Sequence, residues 1–308
     1  MQKSSQDWQP LELESSGHPH KHGPDLGSRR LGLAVIINML LTLAQLFGGI
    51  LAGSLSLIAD ALHNFGDAIA ILIALIARKL SRKTSHPGMS YGYKRAEVLG
   101  TFINAAILSL VGVYLVYEAL QRFWNPQWSQ QAVDGLLMFW LAALALIIYI
   151  GTAMLTYGVG AKDKMNIRAA FVHNVSDAMA SVAVLVASGL IILYQWYWVD
   201  LLVTVLISVY VIHHGALLLA ESGRILMQQA PADLAPELLQ EQLAARPEVV
   251  RVESMHLWRL DEKQNVLTAV VYLEPGLDGE LPLVQQRLRR WLSRRTLGAE
   301  ITLECRFA

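Results

Sequence analysis

Six long apolar runs dominate the first part of the chain, at 31–52, 55–77, 98–120, 133–157, 167–193 and 199–220. Each is close to the ~20 apolar residues that an α-helix needs to cross a bilayer, so the pattern predicts six membrane spans. Gly53-Ser54 leaves so little chain between the first two that they form a tight hairpin. After about Gln229 the pattern changes, and no later stretch is long enough to span. Helical spacing over Leu234–Ala245 gives way to strand-like alternation in Val249–Leu260 and Asn265–Leu273. An amphipathic helix is predicted over Leu281–Arg295, with Leu283, Leu288, Trp291 and Leu292 on one side, and a last strand over Ile301–Phe307. The order αββαβ predicts a small α+β domain with its helices on one sheet face. Residues 1–30 mix acids, Pro, Gly and a His18, His20, His22 cluster, and read as a flexible tail. The chain thus divides into a tail (1–30), a six-helix transmembrane unit (31–228) and an α+β unit (229–308).

Composition agrees with a membrane protein: 54% of residues are hydrophobic and 16% charged. The net charge of zero gives a nucleic-acid partner no electrostatic support. One cysteine, Cys305, excludes a disulfide framework within the chain. Met1–Arg30 carries no signal-peptide core, so insertion is expected to rely on the spans. Basic residues set the orientation. Arg78, Lys79, Arg82, Lys83, Lys94 and Arg95 flank the second connection, and Lys162, Lys164 and Arg168 the fourth. The opposite connections hold Arg122 and no other base, which makes both termini cytoplasmic. Trp124, Trp128, Trp196 and Trp198 fall at the outer rim, as interfacial aromatics do.

The candidate chemistry is a repeated hexapeptide. His63-Asn64-Phe65-Gly66-Asp67-Ala68, in the second span, is echoed 110 residues later by His173-Asn174-Val175-Ser176-Asp177-Ala178, in the fifth. Residues four apart share a helix face, so each copy offers an imidazole and a carboxylate one turn apart. Two such helices side by side supply two nitrogens and two oxygens, a tetrahedral set for a zinc-like ion. Asp60, Asp67 and Asp177 lie deep in spans whose one base, Arg168, stands at a span end, and an ionised Asp at mid-membrane costs on the order of 3 kcal/mol. One divalent cation would cancel Asp67 and Asp177 together. Glu97, Glu118, Asp134 and Asp200 stand near span ends, where water or headgroups are expected to reach them. Asp60 reads either as an outer waypoint for the ion or as a partner for a backbone group. Asn64 and Asn174 read as interhelical contacts, and His213 and His214 as packing or interfacial residues. Counted from the nearest basic residues, Arg78 and Arg168, the two motifs are offset by about six residues, or ~9 Å along the axis.

These residues resemble the cation diffusion facilitator family of zinc exporters. The likeness is carried by Ser54-Leu55-Ser56-Leu57-Ile58-Ala59-Asp60-Ala61-Leu62-His63-Asn64-Phe65-Gly66-Asp67, by Tyr91-Gly92-Tyr93-Lys94-Arg95-Ala96-Glu97 and by His173 to Asp177. The resemblance implies transport-site ligands at His63, Asp67, His173 and Asp177, a metallochaperone-like C-terminal domain, a homodimer and metal/proton antiport by alternating access. It implies no permanent cofactor: Zn²⁺, with Cd²⁺, Co²⁺, Ni²⁺ or Fe²⁺ as further candidates, is cargo and H⁺ the counter-ion. The short Tyr157–Lys164 connection, without a His-rich insert, points to a bacterial inner membrane. His256 is the one His of the C-terminal domain, where Tyr272, Arg287, Glu304 and Arg306 occupy places at which other members carry metal ligands. His256 and His86, in the second connection, are therefore accessory candidates only, read equally as strand-face and solvated-loop residues. His18, His20 and His22 are candidates for weak metal capture. Lys94 or Arg95 resembles a basic partner for an acid after the sixth span, but Gln228 stands where that acid would be.

Three other classes fit membrane helices bearing His and Asp. A metalloenzyme needs an open coordination position that four protein ligands do not leave. A membrane metal sensor would place ligands in the C-terminal domain, and a proton-coupled carrier of an organic solute would bind no zinc.

Overall fold

A computed structural model describes residues 26–81, 83–125, 133–158, 165–262, 264–296 and 298–308. Six long helices come first: α1 (Leu26–Ala52), α2 (Leu55–Ser81), α3 (Ala96–Trp124), α4 (Gly135–Gly158), α5 (Met165–Tyr194) and α6 (Trp198–Leu226). Five of them are long and apolar enough to cross a membrane, and α1 carries the apolar stretch Ile36–Ala52. Leu51, Leu110, Ile147 and Leu206 are 79%, 69%, 69% and 60% exposed on the outside of the bundle. A surface so apolar belongs in lipid, and this is an integral membrane protein.

The helices pair α3 with α6 and α4 with α5, and α2 packs against α1, α3, α6 and, more lightly, α5. Leu57, Met138, Ala142, Val184 and Val203 fill the interior between them. Lipid supplies no hydrophobic drive between helices, so close approach depends on small residues. A Cβ at Gly215 of α6 would come within 2.3 Å of the Ser109 hydroxyl of α3, and one at Gly112 within 2.8 Å of Ile212. At the hairpin rim, Gly53 takes a left-handed φ of +68°. Its carbonyl accepts a 3.1 Å hydrogen bond from Arg122, which also pairs with Glu118. The exposed Trp124, Trp196 and Trp198 lie at the same end of the bundle, called here the far rim.

The C-terminal unit follows as α7 (Pro236–Ala244), β1 (Val249–Arg259), β2 (Asn265–Leu273), α8 (Leu281–Arg295) and β3 (Glu300–Phe307), the αββαβ order that the periodicity predicts. β1 and β2 are antiparallel and β2 and β3 parallel, in the order β1-β2-β3. Leu239, Leu243, Val271, Val284, Leu288 and Leu292 join both helices to one face of the sheet. Leu283, expected on the buried stripe of α8, is 60% exposed. Five residues separate it from Leu288, more than a turn, whereas Val284 stands four away and takes the inward place. Trp291 is held at the edge of this core by the Arg295 guanidinium, 4.2 Å from its ring.

Among the described residues, two side-chain contacts join this unit to the bundle. The Lys94 ammonium, in the connection after α2, donates to the Gln264 side-chain oxygen at 2.5 Å, and Arg259 approaches Glu221 of α6 at 4.0 Å. The basic partner predicted at Lys94 or Arg95 is therefore Lys94, but its acceptor is an amide of the β1–β2 turn. Gln228 instead ends α6 with a φ of +61°.

Candidate metal site within the membrane

Helix α2 is fixed at its start by an acid from another helix. Asp200 of α6 is fully buried and accepts from the Ser54 and Ser56 hydroxyls, both at 2.6 Å, and from the backbone N–H groups of Leu55 and Ser56 at 2.8 and 3.2 Å. The first N–H groups of a helix lack intrahelical partners, and a carboxylate there is favoured by the helix dipole. The expectation that water reaches Asp200 is thus corrected. The short turn Gln195–Tyr197 presses the start of α6 against the start of α2, and protein donors take the place of water. Asp134 does remain exposed, capping α4 through Leu136 and Leu137.

Three turns into α2 the helix is pressed by α3. A Cβ at Gly66 would meet Leu108 at 2.1 Å, and Asn104 donates to the Gly66 carbonyl at 3.4 Å. This contact sets the rotation of α2 beside His63 and Asp67.

Here α2 and α5 face each other. His63 Nε2 lies 3.8 Å from Asp67 Oδ2 and 3.9 Å from Asp177 Oδ1. One ligand atom from each of the three falls within 4.8 Å of the others, and among the described residues this is the one such group of His, Cys, Asp or Glu. Asp177 is 3% exposed, His63 8%, and Asp67 half-buried. The ring of Tyr210 on α6 packs edge-on against the His63 imidazole at 5.9 Å. Four ligands around a zinc ion at about 2.0–2.2 Å stand about 3.4 Å apart. Closing these three atoms around such an ion requires movements of roughly an ångström. His173 lies on α5 one turn before Asp177, and its side chain is outside the described residues.

The two aspartates stand nearly level. Asp67 lies 14 residues before the end of α2 and Asp177 lies 12 after the start of α5, a difference of two residues, or about 3 Å. The motif centres keep the six-residue offset, because both helices run three residues past the basic residues used as markers, to Ser81 and Met165; it is the carboxylates that come level.

The accessory candidates do not join this group. Asp60 is fully buried, and one of its oxygens accepts from Gln45 Nε2 at 2.6 Å. His86 sits in an exposed turn, where its ring accepts from the Gly88 N–H at 3.2 Å and meets Tyr93. His256 is exposed on β1 opposite Thr268. His213 and His214 are both exposed, neither facing the bundle interior. His18, His20 and His22 lie outside the described residues. Around His256 the other positions are engaged: Arg251 stacks over Tyr272 at 3.8 Å, and Arg306 pairs with Glu253 at 3.1 Å and Glu304 at 2.8 Å. Sequence reasoning missed the contacts of Gln45 with Asp60, of Asp200 with the start of α2 and of Tyr210 with His63. The Ser-Leu-Ser stretch opening α2 was a signal for a capped helix start, but nothing named the acid that the cap would meet.

Residues 31–227 match the cation efflux transmembrane domain. The chain is 34% identical over 247 residues to the zinc transporter ZitB of Pectobacterium atrosepticum, covering 80% of this chain and 76% of that protein. It is 31% identical over 261 residues to the cadmium, cobalt and zinc/H(+)-K(+) antiporter of Bacillus subtilis, covering 85% and 82%. It is 29% identical over 293 residues to the metal cation efflux system protein CzcD of Cupriavidus metallidurans, covering 95% and 90%.

Proposed function

Because this chain belongs to the cation efflux family, and so is a metal-cation transporter and not an enzyme, we propose that it exports zinc in exchange for protons through a four-ligand site. The ligands are His63 and Asp67 of α2 with His173 and Asp177 of α5. The observation that carries this reading is the convergence of His63, Asp67 and Asp177 within 4.8 Å across two helices, inside a bundle whose helices carry lysine and arginine only near their ends. Two imidazoles with two carboxylates favour a borderline ion such as Zn²⁺ over Mg²⁺ or Ca²⁺, which take all-oxygen shells. Cd²⁺ and Co²⁺, named for relatives of this chain, fit the same donors, as do Ni²⁺ and Fe²⁺.

Proton coupling follows from the ligands themselves. An imidazole ligates only when neutral, its ordinary pKa being about 6.5, and a carboxylate only when ionised. Zinc and protons therefore compete for one set of side chains, and a site facing the more acidic compartment exchanges the ion for protons. The sign is fixed: apparent zinc affinity is greatest above about pH 7 and falls by up to about tenfold per pH unit, per proton taken up, below about pH 6.

The assembly we propose is a homodimer in a bacterial inner membrane, with both termini in the cytoplasm. In it, residues 1–30 form a tail, 31–228 the transport unit and 229–308 the dimerising unit. The exposed sheet face bearing His256 and Arg251 supports that last role, being the face that α7 and α8 leave uncovered.

The test is zinc uptake into proteoliposomes under an imposed pH gradient, with proton movement read by an internal dye. Wild type should move protons only when zinc is present, and His63→Ala or Asp177→Ala should lose both fluxes. Wild-type transport by either variant would remove the site assignment.

A further inference from the structure

We propose that a second cation-binding position, made of oxygens alone, lies about one helical turn from the His63 group toward the far rim. Gln45 of α1, Asp60 of α2, Tyr149 of α4 and Ser181 of α5 form it. The inference rests on the transport reading above and extends it with a step on the ion's path.

All four side chains are essentially inaccessible, at 0%, 0%, 1% and 0% exposed. The 2.6 Å bond from Gln45 Nε2 to Asp60 Oδ2 fixes the two against each other. It uses the amide's donor end and one carboxylate oxygen. Asp60 Oδ1, Gln45 Oε1, Tyr149 Oη and Ser181 Oγ make no hydrogen bond of ordinary geometry. The Tyr149 hydroxyl lies in the electrostatic field of Asp60, Asp177 and Asp67, and the Asn64 amide interacts with both Asp60 and Tyr149 from outside the set.

Placement along the helices is consistent. Helix α2 runs from the far rim inward, so Asp60 precedes His63 by three residues on the far-rim side. Helix α5 runs the opposite way, so Ser181 follows Asp177 by four residues on that same side. Both are displaced by roughly 5 Å in one direction.

A buried acceptor left without a donor costs about 1–3 kcal/mol, and more when it is charged. Asp60 has no resident base, and the oxygens around it lack what a cation would supply. One carboxylate with neutral oxygens makes a harder and weaker set for zinc than two imidazoles with two carboxylates. An ion leaving the His63 group toward the far rim would be held there loosely and released quickly. That is the property an exit step needs.

The test uses the full-length protein in nanodiscs, with Zn²⁺ binding measured by equilibrium dialysis and transport in proteoliposomes. His63→Ala should lose the tight ion yet keep a zinc ion bound at least tenfold more weakly, and that ion should disappear in His63→Ala combined with Asp60→Asn or with Gln45→Leu. With His63 intact, Asp60→Asn and Gln45→Leu should leave tight binding within about twofold and cut maximal turnover at least tenfold. Gln45→Leu keeps the carboxylate, so agreement between the two separates ion handling from loss of one acid. Residual binding in His63→Ala that is absent, or present but indifferent to Asp60 and Gln45, overturns the proposal, as does wild-type turnover in both single variants. Tight binding that survives His63→Ala at full strength instead counts against the four-ligand reading, because the Asp60-dependent ion is scored separately.

Discussion

Two buried acids on neighbouring helices, Asp200 and Asp60, have opposite surroundings. Asp200 accepts four hydrogen bonds from the start of α2 and is satisfied by protein donors alone. Asp60 accepts one from Gln45, and its other oxygen makes no bond of ordinary geometry, with the Asn64 amide near. Both are fully buried, so depth does not separate them. A carboxylate whose lone pairs are filled by backbone and hydroxyl groups holds helices together. One left with an open oxygen, beside other open oxygens, has capacity for something that arrives. The His63, Asp67 and Asp177 group differs from both: it gathers two acids and one imidazole from two helices within 4.8 Å.

Substitutions can break this contrast, and the largest effect is expected at the transport group. Asp177→Ala should lower zinc transport by more than a hundredfold while the protein still folds, as shown by an unchanged elution volume and melting curve. Next come the two contrasted acids. Asp200→Ala strands four donors at a helix start and should cost about 2–4 kcal/mol, seen as a melting temperature lowered by roughly 5–15 °C. Asp60→Asn should leave melting within a few degrees and act on turnover. Equal thermal losses in the two would erase the distinction. A smaller effect is expected at Gly66, where a Leu side chain would displace Leu108 and rotate α2. Gly66→Leu should weaken tight zinc binding by about tenfold, a loss of about 1.4 kcal/mol. The smallest belongs to Lys94→Ala, which removes one bond between the bundle and the C-terminal unit and should change transport less than about fivefold, for a contribution near 1 kcal/mol.

The sequence reveals the spans because lipid imposes a single rule on all of them, and it reveals the echoed motif because charge inside a span is rare. The αββαβ order is legible from the switch between helical and alternating periods, although Leu283 shows how a one-residue error turns a helix face. Asp200 was misread because nearness to a span end was taken for contact with water, and the partner lies 144 to 146 residues away in sequence. Gln45 and Tyr149 leave no mark at all: each is one polar residue in an apolar helix, with no spacing that ties it to another. Their role emerges only when α1, α2 and α4 are packed together. The pairing of Lys94 with Gln264 is invisible for the same reason, since a turn amide gives no hint of its distant donor.

Zinc K-edge X-ray absorption on the full-length protein loaded with one zinc per chain reads the ligand set itself. A four-coordinate shell of nitrogen and oxygen at about 2.0–2.2 Å is expected, with scattering from two imidazoles that falls to one in His63→Ala. A six-coordinate shell of oxygen, or a spectrum that His63→Ala leaves unchanged, would contradict the four-ligand site.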